Sequence, residues 1–180
     1  MSPPSARDLR AAFGEEPLVS DWLEVMPEAM QAFADATRDH DWMHLDPERA
    51  REAGLGGTIA FGFWTLSMLS HFMRDALGRE YPPGVAYGFN YGLDRVRFVT
   101  PVPVGSRIRN RLTVRDVSEA GEGRFLVRTR NEVEIEGEAR PAMVAEWLVQ
   151  LVMEGGEDGA GEPGPRPGEA ARGPNTRGAT

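Results

Sequence analysis

Cysteine is absent from this chain of 180 residues. Its absence excludes disulfides, thiolate metal ligands and a cysteine nucleophile. Lysine is absent too, because all 20 basic residues are arginine, and this excludes Schiff-base chemistry and a phosphate-loop lysine. The sequence also has no run of about eighteen uncharged apolar residues, so no transmembrane helix and no membrane partner are expected.

A basic surface is also lacking, because the formal net charge is −8. Nucleic-acid binding is therefore not expected, since a phosphate backbone needs a positively charged face. The first residues, MSPPSARDLRAAFGEE, carry scattered charges and lack the apolar centre of a signal peptide. The sequence accordingly predicts a cytoplasmic protein.

The last 26 residues, 155–180, contain eight glycines and four prolines, and no aromatic residue, leucine, isoleucine or valine. Such a segment cannot bury enough apolar surface to offset the entropy lost on ordering. We therefore predict a disordered tail over residues 155–180 and a single folded domain over residues 1–154.

The sequence of the first half of the domain predicts short helices and one short strand. Apolar residues with helical spacing, and residues that favour helix starts, mark each helix. The predicted helices are Ser5–Phe13, a helix that begins near Pro27, and Glu48–Ala53, with a strand at Asp21–Val25. Residues 38–50 are predicted to contain a loop before the last of these helices.

An uncharged segment follows, from Ile59 to Met73, if His71 is neutral. Apolar residues lie on every face of the helix that this segment predicts. A helix of this kind in a soluble protein is expected to be surrounded by other structure.

Beyond Pro83 the apolar pattern changes to the period of two that is typical of strands. Glycine-containing turns at residues 121–123 and 136–138 join antiparallel neighbours, and Pro101 and Pro103 are expected to interrupt the ladder between the first two strands. The predicted strands are Val85–Thr100, Arg107–Ser118, Arg124–Glu136 and Ala142–Met153.

Long antiparallel strands and one apolar helix together predict an α+β hot-dog fold, in which a curved antiparallel sheet wraps around a central helix. A single sheet of this kind has exposed edges, which proteins pair or cover. The chain is therefore expected to form a homodimer.

The chain has three histidines, and two of them, His40 and His44, lie in the predicted loop. Asp39, Asp41 and Asp46 are all within five residues of His44. A neighbouring carboxylate orients an imidazole ring and favours its charged form, which suits general acid–base chemistry near neutral pH. Helix capping is the alternative role of these aspartates, and Asp46 fits it well because a proline follows.

Glycines precede the apolar helix, in Gly56-Gly57-Thr58 and again in Phe61-Gly62. The first N–H groups of a helix have no partner within it and lie at the positive end of its dipole. Glycine lets a ligand approach these groups closely. This region therefore predicts a site for the oxygen of a thioester carbonyl, although turns also require glycine.

These residues resemble the motif of the MaoC-like dehydratases, the family of R-specific enoyl-CoA hydratases. That motif reads Asp-x-Asn-Pro-x-His and continues with Ile-Ala-His-Gly and a buried helix that contains serines. This chain has Asp39, four residues, His44, and then Ile59-Ala60-Phe61-Gly62 at the matching distance. The stretches DHDWMHLDPERA, NYGLDRVRF and PVPVGSRIR are similar to the nodulation-protein-N-like branch of the family, and the resemblance extends over about residues 18–153.

The resemblance implies roles for individual residues. Asp39 and His44 match the catalytic pair of the family, and Gly62 matches the backbone N–H donor to the thioester oxygen. Ser70 matches a serine that hydrogen-bonds the catalytic aspartate. Asn90 matches a substrate-site position that is common in this branch and has no assigned role.

The activity implied by the resemblance is reversible hydration of a trans-2-enoyl thioester to a 3-hydroxyacyl thioester. Asp39 and His44 would hold one water: one group takes a proton as the oxygen attacks C3, and the other delivers a proton to C2. The implied partner is an acyl-CoA or acyl-carrier thioester, and no cofactor is implied. A metal is not expected, because His40 and His44 are placed in a loop and not on a helix.

Two positions depart from the family pattern: Phe61 replaces a histidine, and Asp41-Trp42 replaces Asn-Pro. The first change substitutes an apolar ring for a polar one, and we expect it to alter the shape of the accepted substrate. Phe61 also leaves open a non-catalytic acyl-thioester binder or accessory subunit. A hot-dog thioesterase is less favoured, because the interval from Thr58 to Met73 has no Asp or Glu.

Overall fold

The computed structural model describes residues 5–155, which form six helices and six strands. The helices are α1 (Ala6–Phe13), α2 (Pro27–Thr37), α3 (Trp42–Leu45), α4 (Pro47–Glu52), α5 (Gly62–Ser67) and α6 (Leu69–Leu77). The strands are β1 (Leu18–Val19), β2 (Leu23–Glu24), β3 (Val85–Phe98), β4 (Arg107–Glu119), β5 (Arg124–Ile135) and β6 (Met143–Met153). From residue 156 onwards, the predicted tail lies outside the described residues.

All six strands form one antiparallel sheet in the order β1-β4-β5-β6-β3, with β2 also paired to β4. The ends of the four long strands agree with the sequence prediction to within two residues. Along β5 buried and partly exposed residues alternate, so one face of the sheet supports the core and the other faces outwards. The predicted α+β hot-dog arrangement of a long antiparallel sheet and a helix is confirmed.

The predicted pairing of the first two long strands is wrong, because β3 pairs with β6 at the edge of the sheet. After β3 the chain runs beside the segment that leads into α5. There Ile59 bridges to Pro103, and the Ala60 N–H donates to the Val102 carbonyl at 2.8 Å. This crossing carries the chain past β6 and β5 to β4, so Pro101 follows the end of β3 and interrupts no ladder.

The apolar segment forms two consecutive helices, α5 and α6, with Met68 between them in helical conformation. Trp64, Leu69 and Phe72 are buried against the sheet. The prediction that other structure surrounds this helix on every side is wrong for the single chain, since Phe63 is 71% exposed. The sheet covers one side of α5 and leaves the other open. No helix within residues 5–155 is long and apolar enough to cross a lipid bilayer.

The segment predicted as a loop around His44 contains the short helix α3 instead. Asp41 caps it, because its Oδ1 accepts a hydrogen bond from the Met43 N–H at 3.0 Å. Asp46 caps α4 by accepting from the N–H groups of the second and third residues that follow it, as the capping alternative predicts. Four residues are too few to show a helical period, which is why the sequence pattern did not reveal α3.

A chain of polar side chains runs through the core beneath the helices. Asn110 donates from Nδ2 to Oδ1 of Asn131 at 2.9 Å, and Asn131 donates to the Thr129 hydroxyl at 2.9 Å. The Thr129 hydroxyl in turn donates to the Trp147 carbonyl at 3.0 Å. All three side chains are at most 1% exposed, so these buried hydrogen bonds tie β4, β5 and β6 together.

The replacement Asn131→Ala should lower the free energy of unfolding by about 1–3 kcal/mol, because it leaves the buried Asn110 amide without its acceptor. Urea unfolding followed by circular dichroism measures this change. Ser118→Ala on the exposed end of β4 is the control and should stay within about 0.5 kcal/mol of wild type. Equal stability of Asn131→Ala and wild type would contradict a structural role for the polar chain.

Candidate active site

His44 lies on α3 and is attached to the segment that leads into α5. Its Nδ1 lies 2.7 Å from the carbonyl oxygen of Ile59. A carbonyl oxygen only accepts, so Nδ1 carries the proton, and the Nε2 of the neutral ring is left with a free lone pair. The Ile59 N–H donates to the Met43 carbonyl at 3.0 Å, so two hydrogen bonds attach α3 to this segment.

Aromatic packing supports the same imidazole. The ring of Phe61 lies 3.7 Å from the ring of His44, centroid to centroid, with 32° between their planes. Phe33 of α2 packs against Phe61 at 5.1 Å. His44 is thus held by a hydrogen bond at one ring nitrogen and by an aromatic contact with the ring.

A pocket of about 240 Å³ lies beside His44, and we call it the acyl pocket. It lies where the segment before α5, the start of α5 and the segment after β3 meet. Its walls are mostly apolar, with polar groups from His44 and two threonines. The lining residues are His44, Ile59, Ala60, Gly62, Thr65, Phe98, Thr100, Pro101, Val102 and Ala142.

Gly62 is the first residue of α5, and its N–H has no partner within the helix. A Cβ atom at this position would lie 3.2 Å from three carbons of the Phe98 ring. A side chain at residue 62 would therefore displace Phe98. Glycine thus allows Phe98 to pack directly against the start of α5, next to His44 in the acyl pocket.

Asp39 lies directly before α3, after Arg38, which ends α2 in the left-handed conformation with φ 62°. The Asp39 side chain is exposed, and its Oδ1 accepts from the Asp41 N–H at 3.3 Å. Asp39 is not among the residues that line the acyl pocket. Its role as the partner of His44 stays a prediction.

His40 is not among the residues that line the acyl pocket, and it pairs with Asp35 on α2, at 3.0 Å from Nε2 to Oδ1. The hydrogen bond from His40, together with one from Gln31, holds the pKa of the Asp35 carboxyl below its usual range. Of the two histidines in the motif, only His44 therefore faces the acyl pocket.

Ser70 and Asn90 line a second groove of about 330 Å³, between α5, α6 and β3. The indole Nε1–H of Trp147 donates to Oδ1 of Asn90 at 3.2 Å. Within residues 5–155 of the single chain, Ser70 makes no hydrogen bond to Asp39. The structure thus brings His44 together with Gly62, and Ser70 together with Asn90, at two separate places.

Sequence reasoning missed Phe98 and Thr100 as pocket residues. Both belong to the stretch that ends β3, where alternation predicts a strand and nothing in the pattern indicates contact with α5. The Thr100 hydroxyl oxygen is buried and has no hydrogen-bond partner within the described residues. Such a group is costly unless something binds it.

Residues 8–136 match the family model described as MaoC like domain. The chain is also 45% identical over 148 residues to 3-hydroxyacyl-thioester dehydratase Z of Mycobacterium tuberculosis, covering 82% of this chain and 96% of that protein.

The chain belongs to the MaoC-like dehydratase family.

A second relative agrees with this assignment, and a solved structure has a similar fold. Nodulation protein N of Rhizobium leguminosarum bv. viciae is 42% identical over 145 residues, which cover 80% of this chain and 89% of that protein. In fold, this MaoC-like chain is similar to the crystal structure of a monoamine oxidase regulatory protein from Archaeoglobus fulgius. The TM-score is 0.69 at 22% identity, and the match covers 84% of this chain and 95% of that one.

The replacement Thr100→Val should raise the free energy of unfolding by about 1 kcal/mol, because it removes a buried hydroxyl that has no partner while preserving its shape. Thr129→Val is the matched control: it removes a hydroxyl that donates and accepts in the core, and it should cost about 1–3 kcal/mol. Urea unfolding of both variants measures the difference. A loss of stability in Thr100→Val as large as that in Thr129→Val would show that the Thr100 hydroxyl has a partner.

Proposed function

We propose that this chain catalyses the reversible hydration of a trans-2-enoyl thioester to the 3-hydroxyacyl thioester. The observation that carries the proposal is His44, whose Nδ1 is bound to the Ile59 carbonyl and which shares the acyl pocket with Gly62. The proposal is supported by the relative at 45% identity, which is named as a 3-hydroxyacyl-thioester dehydratase. The thioester is carried by coenzyme A or by an acyl carrier protein.

In this proposal water adds across the C2–C3 double bond. Asp39 and His44 hold the water; one group takes a proton as the oxygen attacks C3, and the other returns a proton to C2. The free lone pair of Nε2 suits His44 to proton transfer. The Gly62 N–H donates to the thioester oxygen, where negative charge develops as C3 is attacked.

The acyl pocket is suited to the carbon chain of such a substrate. Its walls include Ala60, Phe98, Val102 and Ala142, which present carbon atoms to a ligand. A small number of polar groups among apolar walls is typical of ligand sites, because they orient the ligand. Here those groups cluster around His44 and the start of α5.

Asp39→Asn and His44→Ala should each reduce the hydration rate by about 10² to 10⁴, since each removes one member of the proton-transferring pair. The assay follows loss of the enoyl absorbance of crotonyl-CoA together with release of free thiol. His40→Ala is the matched control, because this histidine pairs with Asp35, and it should keep near-wild-type activity. Near-wild-type rates in either member of the pair would rule out the assignment, and free thiol would indicate a thioesterase.

We further propose that two copies of the chain associate through one surface, the β3–α5 face. β3 is 14 residues long, and within residues 5–155 it pairs on one side only, with β6. Large apolar side chains lie exposed along it and on α5: Phe63 at 71%, Phe89 at 52%, Leu93 at 44% and Phe98 at 49%. An unpaired strand edge beside exposed apolar side chains favours association with a second chain.

Contacts join these side chains into one surface. The rings of Phe63 and Phe98 lie 6.0 Å apart, and Phe63, Leu93 and Asn90 line the same groove. A second copy with two-fold symmetry would cover this face with the same face of its own. The homodimer would thus bury the side of α5 that the single sheet leaves open.

Phe63→Asp should convert the dimer to a monomer at micromolar concentration, because a buried unpaired carboxylate opposes association. Size-exclusion chromatography with light scattering measures the mass. Leu55→Asp is the control: Leu55 is 40% exposed and follows α4, outside the β3–α5 face, so the variant should remain dimeric. A wild-type protein with the mass of one chain would contradict this proposal.

A further inference from the structure

Phe61 directly precedes α5, yet its side chain does not cap the helix. The residue before a helix commonly caps it through a side-chain oxygen, and Phe61 makes no such hydrogen bond. Its ring is only 3% exposed, and Phe61 is not among the residues that line the acyl pocket. The ring therefore neither caps α5 nor forms a wall of the pocket.

The ring of Phe61 is in contact with His44. Their centroids are 3.7 Å apart and their planes are tilted by 32°, so the two rings are in close face contact. On α2, Phe33 packs against Phe61 at 5.1 Å with a tilt of 48°. Phe61 belongs to the hydrophobic core, and Phe33 packs against that core. Phe61 thus connects His44 with the core.

The short helix α3 by itself does little to fix the imidazole of His44. This helix has four residues and none of them is buried, and a single turn is unstable without tertiary contacts. The hydrogen bond from Nδ1 to the Ile59 carbonyl fixes one point of the imidazole. A single hydrogen bond still allows the ring to tilt through small changes in the side-chain torsions, so a second contact is needed to fix the direction of Nε2.

We propose that Phe61 is a positioning residue for His44. Contact with the phenyl ring fixes the plane of the imidazole, and together with the hydrogen bond to Ile59 it keeps Nε2 directed at the acyl pocket. The inference rests on the proposed function, because Nε2 is the atom that transfers a proton there. The sequence-based expectation that Phe61 alters the shape of the accepted substrate stays a prediction.

The kinetic test compares three variants with crotonyl-CoA as substrate. Phe61→Leu removes the flat ring and keeps an apolar side chain, and it should lower kcat by about 10- to 100-fold with KM within about threefold of wild type. Phe61→His restores a flat ring and should recover most of kcat. Phe33→Leu is the matched control: it removes a ring that packs on Phe61, one ring further from His44, and kcat should stay within about threefold of wild type.

The spectroscopic test observes the imidazole directly and needs no activity. A proton that lies over an aromatic ring resonates upfield of an exposed one. In the wild-type protein the ring C–H protons of His44 should therefore lie upfield of those of exposed His40, with both assigned from the spectra of His44→Ala and His40→Ala. In Phe61→Leu the His44 signals should move downfield, towards the His40 position.

Three results would overturn the positioning role: an unchanged kcat in Phe61→Leu, an effect confined to KM, or failure of Phe61→His to recover activity. Absence of the upfield shift in wild type would also overturn it, even if Phe61→Leu does not fold. If the wild-type protein hydrates crotonyl-CoA and Phe61→Leu is equally active, the positioning role is refuted and the proposed function is not. A wild-type protein that hydrates no enoyl thioester refutes the proposed function and, with it, any catalytic role of Phe61.

Discussion

The hydrogen bond between Nδ1 of His44 and the Ile59 carbonyl is the contact on which the rest of the site depends. It joins α3 to the segment that enters α5, and it assigns the imidazole proton to the nitrogen that faces the backbone. Since the same segment is held to the crossing after β3 through Ala60 and Val102, the sheet, α5 and α3 meet beside one pocket. A change in any of these three elements would move Nε2 relative to Gly62.

Much of the fold is readable from the sequence because each long strand carries its own alternation and its own turn signals. The strand ends and the hot-dog arrangement follow from local patterns. The order of the strands does not, because the partner of β3 depends on where the chain crosses after Pro101. The exposure of Phe63 is equally non-local, since it depends on which side of α5 the sheet covers.

The candidate site was predictable to a similar degree. The family resemblance singles out Asp39, His44, Gly62 and Ser70. Of these, His44 and Gly62 line the acyl pocket, whereas Asp39 and Ser70 do not. The contribution of Phe98 could not be inferred, because it comes from a strand more than thirty residues further along the chain. Ser70 and Asn90 are brought together in a different groove, next to the surface that we propose a second copy covers. In our proposal, Phe61 supports His44 through their aromatic contact at the position where the family motif has a histidine.

The central claim is that the chain adds water to an enoyl thioester. The most direct measurement incubates the wild-type protein with crotonyl-CoA in deuterium oxide and examines the product by mass spectrometry and NMR. The account predicts 3-hydroxybutyryl-CoA with one deuterium at C2, no deuterium at C4 and no free thiol. Unchanged crotonyl-CoA, or release of coenzyme A without a hydrated product, would contradict it.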